Sequence, residues 1–380
     1  MRSWAIVIGM DSYPGLSGQN PLYGAVADAC DFAAWALDPS GGAVDPADLY
    51  FWTRPWPLPQ HGHLGTYLAG ALPHWFNRDE PLTGRAPPDQ MRGPKAEEIV
   101  LTAEAIGNIL RDAAFEPGAE PGRILVFLAG HGLRASVFGE NKLQTCFIAE
   151  DFRPAASNMA QGLVPCDSFR RSLRNRRFEE VLLFLDCCRS DPQTFALKAM
   201  PLCDLTDDRE DLGWSIGHAS QESAKAYETA GPTIRGAFTK TMMDGLRGWR
   251  DPVTTSLNVE QLDSFVRGNI ASATNSGQSP YFDFLPKNAP LIVVSGGPTI
   301  QLAVKPGPLV HLNKLVGGET LELLLNGTTP SVWHGGPYTA GERAVQLPPL
   351  PDGIYSLRVV GAPNRETLFR HPTKAEIDAP

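Results

Sequence analysis

The sequence lacks several features that would have pointed to particular protein classes. No apolar run reaches the roughly 18–20 residues of a membrane-spanning helix, and the apolar start MRSWAIVIGM is too short for a signal-peptide core. There are no Cys-x-x-Cys pairs, internal repeats or long blocks of like charge, and two of the six cysteines are adjacent. These absences predict a cytoplasmic protein without a membrane span, whose cysteines are mostly small buried side chains.

Positive charge is also in short supply. The 33 Lys and Arg residues face 42 Asp and Glu residues, which gives a formal net charge of −9. Nucleic acids and anionic membranes bind positively charged surfaces, so neither is expected as a partner. The glycine pairs lie outside any strand–GxxxxGK context, and the histidines of residues 54–95 lack metal-ligand spacing. We therefore expect no cofactor and no metal.

Short apolar runs alternate with helical patterns along the first 290 residues. The runs that predict buried strands are Trp4–Gly9, Asp48–Thr53, Arg123–Ala129, Val181–Leu185 and Trp214–Ala219, with a shorter one at Gln144–Ala149. The patterns that predict helices are Leu22–Leu37, Thr102–Ala114 with Thr102 as its cap, Asp167–Asn175, Phe238–Trp249 and Val259–Ala271. This alternation indicates βαβ units, and so an α/β domain over residues 1–290 with a mostly parallel sheet flanked by helices.

Two segments depart from this alternation. Residues 54–95 are rich in Pro, Gly, Trp and His and are too long for a plain connection, so they are an insertion, a lid or a partner surface. From residue 291 to residue 380, short alternating runs are divided by Gly/Pro turns and no helical pattern is convincing. This predicts a small β-sandwich domain, which either recognises a regulatory or target protein or braces the first domain.

Two of the most apolar strands end in residues that carry chemistry. RILVFLA runs into Gly130–His131–Gly132, and VLLFL runs into Asp186–Cys187–Cys188. Function in an open α/β sheet collects at the carboxyl ends of its parallel strands, so an imidazole base and a thiol nucleophile could meet there. The glycines beside His131 fit close approach of a substrate, and they fit a tight strand exit equally well.

Five segments, in the same order, resemble the caspase-like cysteine peptidases of peptidase family C14, of the metacaspase and bacterial caspase-homologue kind. They are AIVIGMDSYPG with LYGAVADA, then LVFLAGHG, LLFLDCCRS, ASQESAKAYE and GAFTKTMMDGL. The resemblance covers the first 290 residues and implies a caspase-haemoglobinase-like sheet. The spacing from His131 to Cys188 is near the roughly 50 residues known between the two catalytic residues of caspases.

The resemblance also implies a mechanism. The motif selects Cys188 as the nucleophile and leaves Cys187 on a variable position, while His131 protonates the leaving amine. The backbone N–H groups of Gly132 and Cys188 would bind the oxyanion. No third residue of the Asn or Asp type that would orient His131 is evident in the sequence, and the family does not strictly need one.

The expected specificity is for a basic residue before the cut, Arg and then Lys. Asp28 and Asp186 match the two acids of the metacaspase pocket, and two carboxylates favour a guanidinium. Asp28 fits a solvent-facing position on its helix equally well. Ser220 and Glu222 are expected to contact the substrate backbone or to cap a turn, and the same ambiguity holds for Tyr227 and Glu228.

The polar loop that follows Cys188 is where enzymes of this family often cut themselves. Lys198 and Arg209 are the candidate processing sites. Calcium binding by the acids of this loop is not supported by their spacing, and a solvated loop is the favoured interpretation. By analogy with the family, the expected role is a regulated protease in bacterial cell death or antiphage defence. The alternatives are a non-catalytic scaffold or sensor on the same fold, or a different thiol acyl hydrolase.

Overall fold

The chain divides into two compact units, Met1–Pro298 and Thr299–Pro380, in a computed structural model. The structure describes residues 1–16, 21–55, 93–113, 121–139, 143–154, 160–174, 178–189, 197–200, 202, 213–229, 234–251, 255–274, 277–285, 290–295, 308–325, 333–339, 343–347, 353–371 and 376–379. Most of the 54–95 segment, Arg209 and the acidic residues near it lie outside the described residues.

The first unit is built from strands and helices that alternate along much of the chain. Its strands are β1 (Arg2–Met10), β2 (Leu49–Arg54), β3 (Gly122–Gly130), β4 (Gly132–Val137), β5 (Leu143–Pro154), β6 (Ala160–Pro165), β7 (Phe178–Cys187), β8 (Lys198–Ala199), β9 (Gly213–His218), β10 (Ser256–Asn258), β11 (Tyr281–Leu285) and β12 (Ile292–Ser295). Its helices are α1 (Ala25–Leu37), α2 (Ala96–Ala113), α3 (Cys166–Arg174), α4 (Ala237–Gly248) and α5 (Val259–Ala273).

Six of these strands form the central sheet, in the order β11–β9–β7–β3–β1–β2. All neighbouring pairs are parallel except β11 with β9, which is antiparallel. The mostly parallel α/β sheet predicted from the sequence is confirmed. In the pairing of β3 with β7, Ala129 lies opposite Asp186 and Gly130 opposite Cys187. The residues that follow these two strands therefore emerge side by side.

Helices cover both faces of this sheet, which explains why its strands are apolar on both sides. In β1, Val7 packs in one core with α1, α4 and α5, while Ile6 and Ile8 pack in a second core with α2 and α3. Successive side chains of a strand point to opposite faces, so one continuous apolar run fills two cores. A chain with a solvated sheet face would instead alternate apolar and polar residues.

Four strands form a second sheet, in the order β6–β5–β4–β8. Of these strands, the sequence predicted only β5. Strand β4 begins one residue after His131, so the chain passes directly from the central sheet into this smaller one. The two-residue strand β8 pairs with β4 in parallel, with Lys198 opposite Ser136.

The predicted start of the second helix is wrong. Helix α2 begins at Ala96, and Thr102 lies inside it with its hydroxyl donating to the carbonyl of Glu98 at 2.8 Å. A threonine can make this bond within a helix as readily as it can cap one. Ile99 is already fully buried, so the apolar face of the helix begins before the residue taken as its cap.

The first unit extends past the expected domain boundary at residue 290. Strand β12, which the sequence grouped with the C-terminal strands, pairs antiparallel with β10, and Val294 lies opposite Leu257. Leu291, Val293 and Val294 also pack in the core beside α1, α4 and α5. The first compact unit therefore ends at Pro298.

The described elements of the second unit are all strands. They are β13 (Leu309–His311), β14 (Leu321–Leu325), β15 (Trp333–Gly335), β16 (Ala344–Gln346), β17 (Gly353–Val359), β18 (Ala362–His371) and β19 (Glu376–Asp378). They form one sheet in the order β16–β13–β19 and another in the order β15–β14–β17–β18. Both sheets contribute to one core, Val310 and Ile377 from the first and Leu323 and Leu357 from the second, as in a β-sandwich.

None of the helices that the structure describes has the length and apolarity needed to cross a membrane.

Candidate active site

A pocket opens where β3 and β7 end side by side. His131 is the first residue after β3 and Cys188 the first after β7, and both line this pocket. The structure thus brings together the two residues that the sequence predicts as base and nucleophile. The other lining residues are Leu22, Ala25, Asp28, Ala129, Gly130, Asp186, Ala226, Tyr227, Glu228 and Gly236.

The two adjacent cysteines differ in their surroundings. Cys187 is 1% exposed and points away from solvent, whereas Cys188 is partly exposed and its Sγ lies 3.7 Å from the carbonyl oxygen of Ala226. Burial raises the pKa of Cys188, although less than it raises the pKa of Cys187. The resting thiol of Cys188 is therefore protonated at neutral pH, and it needs a base before it can act as a nucleophile.

Two contacts from other segments hold the backbone of His131. Its N–H donates to the phenol oxygen of Tyr13 at 2.7 Å, and its carbonyl accepts from the N–H of Ile148 at 3.0 Å. The Tyr13 ring also packs against the imidazole, with ring centroids 5.0 Å apart. The sequence assigned no role to Tyr13, although it lies in the DSYPG segment that carries part of the family resemblance.

Both glycines beside His131 are explained by close neighbours. Gly130 has a positive φ of 155°, and a Cβ there would collide with the Tyr13 hydroxyl. A Cβ at Gly132 would lie 2.6 Å from the carbonyl oxygen of Cys188. The tight strand exit is therefore a sufficient reason for both residues, and the oxyanion role of Gly132 stays a prediction.

The two acids predicted for the substrate pocket, Asp28 and Asp186, are buried in it. Asp186 accepts on Oδ2 from the N–H of Thr239 at 3.1 Å and from its hydroxyl at 2.6 Å. Burial raises the pKa of Asp186 to about 6. Asp28 is 1% exposed, so the alternative of a solvent-facing helix position is wrong.

Asp28 already has a cationic partner within the chain. The guanidinium of Arg235 pairs with Asp28 through Nε and with Asp31 through Nη2, the latter at 2.7 Å. The N–H of Gly236 donates to Asp28 Oδ2 at 2.6 Å. A Cβ at Gly236 would collide with Asp186 and lie 2.7 Å from Asp28 Oδ2, so only glycine fits between these two carboxylates.

Glu228 is a third carboxylate at the pocket, and its role was left open by the sequence. Its Oε1 accepts from the backbone N–H groups of Tyr23 and Gly24 at 2.8 and 2.6 Å. These groups lie just before α1, some two hundred residues earlier in the chain. Only the folded chain brings them together, so no local pattern could have identified the contact.

Ser220 and Glu222, predicted as substrate contacts, do not line the pocket. Ser220 is fully buried, and its hydroxyl donates to the carbonyl of Ala224 at 3.2 Å, which closes a turn. Glu222 pairs with Arg134 at 2.9 Å and lies 3.6 Å from Arg189. The turn-capping interpretation fits Ser220. The carboxylate of Glu222 lies beside two arginines, outside the pocket.

Lys198, one of the candidate processing sites, lies in the paired strand β8. The carbonyls on either side of it, those of Leu197 and Ala199, accept from Ser136 and Phe138 of the neighbouring chain segment at 3.2 and 2.9 Å. A cut after Lys198 would first require β8 to leave the sheet. Among the described residues, no three His, Cys, Asp or Glu side chains converge as a metal site would require.

A thiol and an imidazole thus lie at adjacent strand ends of a helix-flanked, mostly parallel α/β sheet. The model of the peptidase C14 family, described as the caspase domain, matches residues 2–289. The chain therefore belongs to this family, as its motifs predicted, and this membership supports a function of the cysteine-protease kind. No curated protein matches the chain.

Proposed function

We propose that this protein is a cysteine endopeptidase that hydrolyses peptide bonds after Arg, and next after Lys, with Cys188 as nucleophile and His131 as acid and base. The observation that carries the proposal is one pocket lined by a partly exposed thiol, an imidazole and three carboxylates. A thiol and an imidazole suffice for acyl transfer, and an acidic pocket selects a cationic side chain.

The reaction balances with these two residues and one water. His131 takes the thiol proton of Cys188 as the sulfur bonds to the substrate carbonyl carbon. The imidazolium then returns this proton to the leaving amine as the C–N bond breaks, which leaves a thioester on Cys188. Water, deprotonated by His131, then attacks the thioester carbon. The C–S bond breaks, the imidazolium returns the proton to the sulfur of Cys188, and the peptide acid is released.

The negative charge on the carbonyl oxygen would be bound by the backbone N–H groups of Gly132 and Cys188. The backbone of Gly132 lies close to that of Cys188, since a Cβ at Gly132 would be 2.6 Å from the Cys188 carbonyl oxygen, and this proximity supports the assignment. Each such donor is worth roughly 3–4 kcal/mol of transition-state stabilisation in other enzymes.

Within the pocket, we assign the substrate cation to Asp186 and Glu228. Each uses one carboxylate oxygen to accept from neutral donors, Thr239 for Asp186 and the Tyr23 and Gly24 N–H groups for Glu228. Their hydrogen bonds with described residues involve no cation, so a substrate guanidinium or ammonium would be their counter-ion. Asp28 is paired with Arg235, and in this proposal it acts by holding Gly236 at the pocket wall.

The test is a panel of fluorogenic peptides that differ only in the residue before the cut. We expect Arg to be preferred over Lys, and no cleavage by Cys188→Ala, while Cys187→Ala keeps most of the activity as the matched control. Glu228→Gln should lower kcat/KM for Arg peptides at least tenfold, whereas Glu222→Gln outside the pocket should change it less than twofold. A preference for Asp would contradict the specificity, and activity on small esters alone would indicate another thiol acyl hydrolase.

The same variants identify the targets of the enzyme. Sequencing of new N-termini in a proteome treated with wild type or Cys188→Ala would give the residue cut after and any self-processing together. Protein substrates with exposed Arg or Lys are the proposed partners, with the second unit as a candidate surface for a regulator or target. The five described cysteines are free thiols, which is consistent with a cytoplasmic location. A role in bacterial cell death or antiphage defence is proposed from the family resemblance alone.

A further inference from the structure

Tyr13 makes two different contacts with His131. Its phenol oxygen accepts a hydrogen bond from the His131 backbone N–H at 2.7 Å, and its ring packs against the imidazole at a centroid distance of 5.0 Å with 41° between the ring planes. The hydrogen bond holds the backbone of His131 at the point where the chain leaves β3. The ring contact limits the rotation of the side chain about its own bonds.

The position of His131 in the chain makes such a support useful. His131 lies between the last residue of β3, in the central sheet, and the first residue of β4, in the smaller sheet. Its own N–H is bound by a side chain, and its C=O is bound by Ile148 of β5. The backbone at His131 is thus held from two directions by segments distant in sequence.

Tyr13 itself is firmly placed. Its side chain packs against the core shared by the central sheet with α2 and α3, and also against the apolar cluster formed by the smaller sheet. Burial raises the pKa of Tyr13 well above its ordinary value, so the phenol stays neutral throughout the working range of an enzyme. Gly130 completes the arrangement, because any side chain there would collide with the Tyr13 hydroxyl.

We propose that Tyr13 is a positioning residue that orients the His131 imidazole toward Cys188. The proposal rests on the proposed function, because it assumes that His131 transfers the proton. Tyr13 is not among the residues that line the pocket, so it acts through His131 and not on the substrate.

The test separates the hydroxyl from the ring. Tyr13→Phe keeps the ring and removes the acceptor, and Tyr13→Leu removes both. We expect kcat for an Arg peptide to fall about tenfold in Tyr13→Phe, which equals about 1.4 kcal/mol, and further in Tyr13→Leu, with KM within twofold of wild type. Tyr50→Phe, at a partly buried tyrosine on β2, is the matched control and should leave both constants unchanged.

A second measurement reports on His131 directly. In the Cys188→Ala background, the ring signals of His131, assigned by their loss in His131→Gln, are followed by NMR across pH. We expect a changed titration curve in Tyr13→Leu and an unchanged one in Tyr50→Phe. Folded Tyr13 variants with wild-type kcat and an unchanged His131 titration would overturn the proposal. A wild type without peptidase activity would overturn the proposed function instead, and the NMR experiment would still decide the role of Tyr13.

Discussion

At the scale of single residues, the adjacent cysteines Cys187 and Cys188 differ in their access to the pocket. Cys187 is the last residue of β7 and is buried, while Cys188 follows the strand and reaches the pocket. Burial raises the pKa of both thiols, so neither is a thiolate at rest near neutral pH. The difference that matters is access, because only Cys188 has both a route to solvent and an imidazole in the same pocket.

Alkylation should reveal this difference. We expect iodoacetamide to label Cys188 first, at a rate that keeps rising with pH beyond about 8.5, the ordinary thiol pKa, because the pKa of Cys188 is raised. Peptide mass spectrometry measures labelling at each cysteine, with Cys188→Ala as the control. A rate that is already constant between about pH 6 and pH 7 would mean that a thiolate exists at rest, and it would contradict this prediction.

The Asp186 carboxyl, which we propose as a ligand of the substrate cation, should also lower the stability of the folded protein when it is ionised. Its folded-state pKa is raised to about 6 from an unfolded value near 3.9, so the folded protein favours the protonated carboxyl. Protonation of the buried Asp186 carboxyl therefore stabilises the folded protein at low pH, and this stabilisation is lost as the pH rises through about 6. Asp186→Asn should therefore raise Tm at pH 8 by removing a penalty of about 2–3 kcal/mol, should leave Tm little changed at pH 4, and should lower kcat/KM for Arg peptides about a hundredfold.

Calorimetry at the two pH values, together with peptide assays, checks this prediction. Asp283→Asn is the control, since Asp283 is largely exposed on β11. An equal change in Tm at both pH values would show that the effect of Asp186→Asn comes from packing and not from the ionisation of the carboxyl.

At the scale of elements, the central strands were predictable and the smaller sheet was not. The runs at β1, β3 and β7 are apolar on both faces, and such continuous runs are recognisable in a sequence. Strand β4 begins directly after His131, so no loop separates it from β3 in the sequence, and β8 has only two residues, which is too few for a recognisable pattern. The start of α2 is not predictable from its residues, because Thr102 has the chemistry of a cap but bonds within the helix.

The pairing of β8 bears on self-processing. Because Leu197 and Ala199 are buried and hydrogen-bonded to the segment of β4, the bond after Lys198 is protected in the folded protein. We expect Lys198→Gln to leave the pattern of self-cleavage fragments unchanged, whereas Arg209→Gln should remove a fragment. Mass spectrometry of intact fragments measures both, with Cys188→Ala as the uncut control. A fragment that begins at Ala199 in wild type would contradict this prediction.

At the scale of the whole molecule, the residues of the candidate site all come from one unit. Residues 1–298 contain the pocket and both cores that flank the central sheet, and the second unit has a separate core of its own. A domain with its own core can fold independently of its neighbours.

We therefore expect a chain of residues 1–298 to fold and to retain kcat/KM on short fluorogenic peptides within about threefold of the full chain. Circular dichroism and the peptide assay measure both properties, with the Cys188→Ala version of the truncated chain as background. Loss of peptide cleavage in a truncated chain that still melts cooperatively would show that the second unit is needed for catalysis.

The sequence alone determined the fold class and predicted the two residues proposed for catalysis. Apolar runs and the residues that end them are local along the chain, so the motifs, read with the family resemblance, are enough to predict His131 and Cys188. Tertiary structure alone decided the partners of these residues. The bond from the His131 N–H to Tyr13, the pairing of Arg235 with Asp28, and the presence of Glu228 in the same pocket as Asp186 all join segments far apart in the chain. Such contacts have no period and no fixed spacing, because they depend on where the sheet places each strand end.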